Sequence, residues 1–177
     1  MSTAEFDRAY SEYYPSVVRT IRAMVLDGPL AEELGQETFV RAYAARQRYD
    51  RSLAVHPWLH AIAVNLVRSH LRRARLLRFF PLLDSLADDR SGVGRHDLDL
   101  TNALRRLSPG DRSALVLHYV HGFDYSEVGK ILNVPAGTVA SRINRSRSRL
   151  RRLLEPDYPA LPLTTRLRRR HENAPTG

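Results

Sequence analysis

The sequence predicts an all-α protein: two small helical domains joined by a flexible linker, the second containing a helix-turn-helix. Three observations carry this reading. Apolar residues recur every three to four positions through most of the chain, an Asp-, Ser- and Gly-rich interval interrupts them, and an arginine-loaded helix closes the second block. No alternating strand pattern and no internal repeat is visible.

The first domain is placed at residues 1–78. Phe6, Tyr10, Tyr14, Val17, Ile21 and Met24 keep a helical period from Glu5 to Leu26, and Pro15 is expected to start a second helical piece there. A second helix follows "DGP", from Pro29 to Arg46. A third runs from about Pro57 to Arg78, with Trp58, Ile62 and Leu66 as its apolar stripe and Arg68, Arg72, Arg73, Arg75 and Arg78 loading its far end. Residues 79–97, including "DSLADDRSGVGRHD", have the composition of a solvated linker.

The second domain spans 98–155. In "LSPGDRSALVLHYVHG", Ser108 caps a helix, Pro109 occupies its first turn and Gly122 stops it. "FDYSEVGKILNVPAGTVASR" then supplies two short helices split by Asn133, Val134 and Pro135. A helix-turn-helix needs a small residue where its helices touch, a turn position tolerant of left-handed backbone, and apolar residues holding the second helix down. Gly129, Asn133 and the set Val128, Leu132, Val134, Val139 and Ile143 meet those needs, although an ordinary helical hairpin would also fit. In the last helix Val139, Ile143, Leu150 and Leu153 fall on one face, expected to be buried. The opposite face carries Thr138, Ser141, Arg142, Asn144, Arg145 and Arg149 with no carboxylate nearby. Residues 156–177, with four prolines and the run "RLRRR", read as a disordered tail.

The charge balance points to a polyanionic partner. Net charge is +9 over 177 residues, and all but one of the 28 basic residues are arginine. A planar guanidinium grips phosphate and guanine edges in a way an ammonium does not. There is no cysteine, so disulfides and thiolate metal sites are excluded. The amino terminus has neither a basic start nor a long apolar run, so membrane insertion is not expected and a cytoplasmic location is. No phosphate loop or nucleophile constellation is found, and no enzyme is indicated. His56 and His60 stand four apart and His118 and His121 three apart, but neither pair has a third ligand at metal-site spacing, so neither metal nor cofactor is expected.

Two blocks in this order resemble one family. The block from "LSPGDRSALVLHYVHG" through "VASRINRSRSRLRRLL" looks like region 4 of bacterial extracytoplasmic-function sigma factors. "AEELGQETFVRAYAARQRYD" and "HPWLHAIAVNLVRSHLRR" look like their region 2. The resemblance covers about residues 5–78 and 98–154. It implies a subunit that binds core RNA polymerase through the clamp coiled coil and flap, recognises −35 and −10 promoter elements, and is held by an anti-sigma factor.

Carried over residue by residue, the resemblance implies −35 contacts from Ser141, Arg142 and Arg145, with Ala140 standing where relatives often have a basic residue; Thr138 shares their polar face, and Asn144 is expected to read a base as a feature peculiar to this chain. It implies −10 contacts from Trp58, Asn65, Arg68, Arg72 and Arg73. An amide at Asn65 offers both donor and acceptor to a flipped base. Trp58 reads more readily as core than as a stacking platform, since it begins the apolar stripe. Polymerase docking falls on Glu32, Glu33, Gln36 and Glu37, an acidic face on a basic protein, for which a solvated surface is the plain alternative. Two other classes stay open: a stand-alone helix-turn-helix regulator, which would bind a palindrome without polymerase, and an adaptor using its arginines for nonspecific DNA affinity.

Overall fold

The computed structural model describes residues 1–52, 54–77 and 95–154. Its elements are α1 (Thr3–Val25), α2 (Gly28–Ala45), a 3-10 turn (Arg46–Arg48), α3 (Val55–Leu77), α4 (Arg95–Arg105), α5 (Pro109–Leu115), a π-helical turn (Val116–Val120), α6 (Tyr125–Leu132) and α7 (Ala136–Leu154). No strand occurs among the described residues. The linker assigned to 79–97 lies outside them except for Arg95 to Asp97, which already belong to α4, and the tail at 156–177 lies outside them entirely.

Short-range chemistry sets the helix ends. Ser2 and Glu5 form a reciprocal capping box at the start of α1, and Asp124 and Glu127 do the same for α6. Asp27 accepts from the Leu30 amide ahead of α2, and Ser108 accepts from the Asp111 amide ahead of α5. Each of these last two helices has proline in its first turn, where a missing N–H costs nothing.

The break expected at Pro15 does not occur: α1 is one helix of 23 residues with Pro15 inside it. Proline's fixed φ is helical, and the hydrogen bond it removes is outweighed by packing of α1 against α2, α3 and α5. Phe6, Tyr10 and Tyr14 interlock with Phe39 and Tyr43 of α2, with Phe6 and Tyr43 centroids 5.2 Å apart and Tyr10 and Phe39 4.9 Å apart. Gly35 lets the helices meet, since a Cβ there would lie 2.6 Å from Val18 Cγ2.

The two halves do not stand apart. α5 packs on α1 and α6 packs on α3, so one apolar core runs from Val17, Ile21 and Met24 through Leu59 and Val64 to Leu117, Phe123, Val128 and Leu132. Periodicity in each block specified a buried face but not the partner helix.

Candidate nucleic-acid interface

α6, its turn and α7 form a tight helix-turn-helix. Asn133 is left-handed at φ 51°, which asparagine tolerates, and its N–H bonds back to the carbonyls of Gly129 and Lys130. A Cβ on Gly129 would lie 2.7 Å from the Val134 carbonyl oxygen, so only glycine permits this approach. Val139 and Ile143 are buried and anchor α7, whereas Leu150 and Leu153, expected in the same buried face, are half-buried because the helix runs past its support. α7 is also a long helix of 19 residues, not a short one.

The outer face of α7 exposes Ser141, Asn144, Arg145 and Arg149, while Thr138 and Arg142 are half-buried. Ser141 donates to the Thr138 carbonyl and Arg145 Nε to the Ser141 carbonyl, which lays both side chains along the helix. Arg142 leans toward α5, its guanidinium 3.3 Å from where a Cβ of Gly110 would stand.

On α3, Asn65, Arg72 and Arg73 are exposed. Trp58 is half-buried against the core, its ring 4.7 Å from that of Tyr49, so it serves packing at least as much as surface. Arg68 is turned inward: Nη1 donates to the Leu132 carbonyl at 2.7 Å, capping the carboxy-terminal end of α6 from the other half. Burial, then the Arg142 charge, lowers its pKa.

On α2, Glu32, Glu33 and Gln36 are exposed and Glu37 is half-buried, while Ala31, Leu34 and Thr38 are buried on the other side. Glu32 accepts a 2.9 Å hydrogen bond from Tyr14 Oη, and burial together with that carboxylate raises the Tyr14 pKa to about 12. Glu37 pairs with Arg41 at 2.7 Å.

These surfaces lie on segments matching known sequence families. Residues 9–76 match the model of sigma-70 region 2, and residues 97–150 match that of sigma-70 region 4. The chain is 32% identical over 157 residues to the RNA polymerase sigma factor CarQ of Myxococcus xanthus, covering 84% of this chain and 88% of that one. It is 33% identical over 155 residues to the ECF RNA polymerase sigma factor SigM of Bacillus subtilis, covering 83% and 93%. The chain belongs to the ECF sigma factors. Among solved structures, its fold is similar to that of the sigma factor RpoE in complex with the anti-sigma factor NepR from Bartonella quintana, with a TM-score of 0.74, 28% identity, and coverage of 87% of this chain and 99% of that one.

Sequence reasoning missed the seam between the halves of this sigma factor. Arg112, on the buried side of α5, donates from Nε to the Ala23 carbonyl at 2.6 Å and from Nη2 to the Met24 carbonyl, while Nη1 reaches the Leu104 and Leu107 carbonyls at 3.1 and 2.6 Å. One guanidinium thereby ties the end of α1 to the α4–α5 junction. Burial lowers its pKa, and the nearby Arg105 adds to that. Nothing in "PGDRSALVL" distinguishes Arg112 from a surface arginine, because the acceptors that span the seam, the Ala23 and Met24 carbonyls, are far away in the chain.

The second missed feature corrects the metal argument from spacing. His121, at the end of the π turn, meets the His56 and His60 pair of α3 and supplies the third imidazole that neither pair has locally. His60 is fully buried, and burial pushes its pKa down to about 2; His121 is pushed down to about 4 for the same reason. His118 stays out of the group, its Nδ1 lying 2.8 Å from the Phe123 carbonyl.

Proposed function

We propose that this sigma factor directs promoter-specific initiation by binding core RNA polymerase and engaging DNA at two points. In this reading α7 enters the major groove of the −35 element, with Asn144 and Arg142 facing base edges and Thr138, Ser141 and Arg145 steadying the helix on the backbone. α3 captures the displaced strand of the −10 element: Asn65 receives a flipped base, Arg72 and Arg73 follow phosphates, and Trp58 supports the pocket. Glu32, Glu33, Gln36 and Glu37 dock on the polymerase clamp, and the second domain meets the flap. Catalysis of nucleotide addition belongs to the polymerase. The protein acts in the cytoplasm, and no described helix is long and apolar enough to cross a membrane. An anti-sigma factor is a further partner, in keeping with the RpoE complex above.

The observation that carries this reading is the exposed Ser141, Asn144 and Arg145 face on the second helix of a glycine-tight helix-turn-helix, on a chain that also matches region 2. The compact arrangement is the resting form in this scheme. Arg68 donates to Leu132 and Arg142 leans on α5, so polymerase must favour a state in which the halves separate and both arginines turn outward.

Transcription with purified core enzyme and a candidate promoter tests the proposal. Specific transcripts are expected with the intact chain, and Asn65→Ala lowers permanganate reactivity of the melted region more than it lowers duplex binding. Sequence-specific DNA binding without polymerase, and no specific transcript with it, would point to a stand-alone regulator.

A further inference from the structure

We propose that His56, His60 and His121 form a binding site for a divalent transition metal of the zinc, nickel and cobalt class, which clasps the two helical halves together. One ring nitrogen from each residue lies within 4.8 Å of the other two. His56 and His60 share a face of α3 one turn apart, with their Nε2 atoms 3.0 Å apart, and His121 comes from the opposite half.

Several features make this a donor set and not ordinary packing. Two ring nitrogens facing each other at 3.0 Å cannot both carry a proton, so at least one lone pair always points into the group. His60 Nδ1 is buried with no hydrogen-bond partner among the described residues, a cost that a leucine of comparable size would avoid. Zinc–imidazole bonds of about 2.0–2.1 Å place tetrahedral ligand atoms about 3.3 Å apart, between the 3.0 Å of the His56–His60 pair and the 4.8 Å that bounds the group.

The surroundings suit a cation of this class. The Phe123 ring lies 4.7 Å from that of His56, and Tyr13 stacks on His56 at the same centroid distance. Thr20 Oγ1 lies 3.0 Å from His121 Nε2 and Ser16 Oγ 3.2 Å from His56 Nε2, so hydroxyls border the site. Glu12 and Glu127 direct a negative field onto His56, and Arg19 is the opposing charge near His121. Neutral imidazoles without a carboxylate disfavour magnesium and calcium and select borderline metals. The π turn, where the His121 amide bonds to the Val116 carbonyl, sets the end of α5 in the register that brings His121 to α3.

Because the ligands come from both halves, metal binding stabilises only their closed arrangement, the one in which Arg68 is turned inward. Metal is then a brake on promoter binding. That consequence rests on the proposed function; the site itself does not.

The test begins with the full chain, stripped of metal by a chelator and titrated with Co²⁺ alone. One equivalent is expected to give the visible absorption of a low-symmetry cobalt–imidazole site. X-ray absorption of the zinc-loaded wild type should show three imidazoles, a readout that needs no variant to fold. His56→Gln and His121→Gln lose the cobalt band, and His118→Gln keeps it. Zinc at about 100 times its Kd raises the melting temperature of the wild type by roughly 5–10 °C. The absence of a one-equivalent band, fewer than three imidazoles, or a band retained in both His56→Gln and His121→Gln overturns the site. Transcription with core polymerase then isolates the brake: zinc should inhibit the wild type relative to His121→Gln, and equal inhibition of both overturns the brake alone.

Discussion

α3 and α7 are both arginine-rich helices with an exposed asparagine, Asn65 in one and Asn144 in the other, yet they stand differently toward a polyanion. α7 packs on α4, α5 and α6 along one side and leaves the other open, so Arg145 and Arg149 are exposed. α3 lies between both halves, touching α1, α2 and α6, and Arg68 is held on a backbone carbonyl of the opposite half. Composition predicts attraction to DNA for both. Availability is decided by what packs beside the helix.

The largest expected effect on that contrast comes from Arg112. Arg112→Ala removes four hydrogen bonds, two of them across the seam, and is expected to cost about 3–5 kcal/mol in urea unfolding, since bonds from a charged donor contribute about 1.5–3 kcal/mol each and do not add fully. Arg112→Lys should recover little, because an ammonium has no planar fork. A loss under 1 kcal/mol for Arg112→Ala would show that the seam holds by apolar contact alone.

Acid should open the same seam. His60 and His121 have folded pKa values near 2 and 4, below the ordinary 6.5 of the unfolded chain. The unfolded state therefore binds protons first as pH falls, so the stability present above pH 6.5 is lost progressively toward pH 4 and below. At pH 5 metal-free protein should have lost about 2 kcal/mol through His60 and less through the half-exposed His121, relative to pH 7. Flat stability between pH 7 and 5 in chelator would contradict this.

Gly129→Ala sharpens the comparison from the other side, because its clash with the Val134 carbonyl strains the helix-turn-helix and leaves α3 untouched. About 1–3 kcal/mol of destabilisation is expected by thermal unfolding. The smallest effect belongs to Asn144→Ala, which should leave unfolding unchanged while relaxing base preference at one −35 position by about 1–3 kcal/mol in competition binding. Unchanged preference would remove Asn144 from base readout.

Local rules made much of the fold legible. The Ser108 cap, Pro109, the Asn133 turn and the Val139 and Ile143 anchors follow from interactions within four residues, and the structure contains each of them. Pro15 misled because its local cost was smaller than the packing of α1 on three neighbours. At the surfaces, sequence indicated that Asn144 and the α2 carboxylates sit away from apolar stripes; Asn144, Glu32 and Glu33 are exposed and Glu37 is half-buried.

By itself, then, the amino-acid order determined which segments are helices, which of their faces are apolar, and where the basic charge gathers. Tertiary structure alone decided that Arg68 caps α6, that Arg112 reaches from α5 to the end of α1, and that His121 completes a trio with His56 and His60. The reason is range: caps and periodic stripes depend on neighbours three or four residues away. A guanidinium's backbone acceptors, or an imidazole's two companions, are fixed only when distant helices choose one another as packing partners.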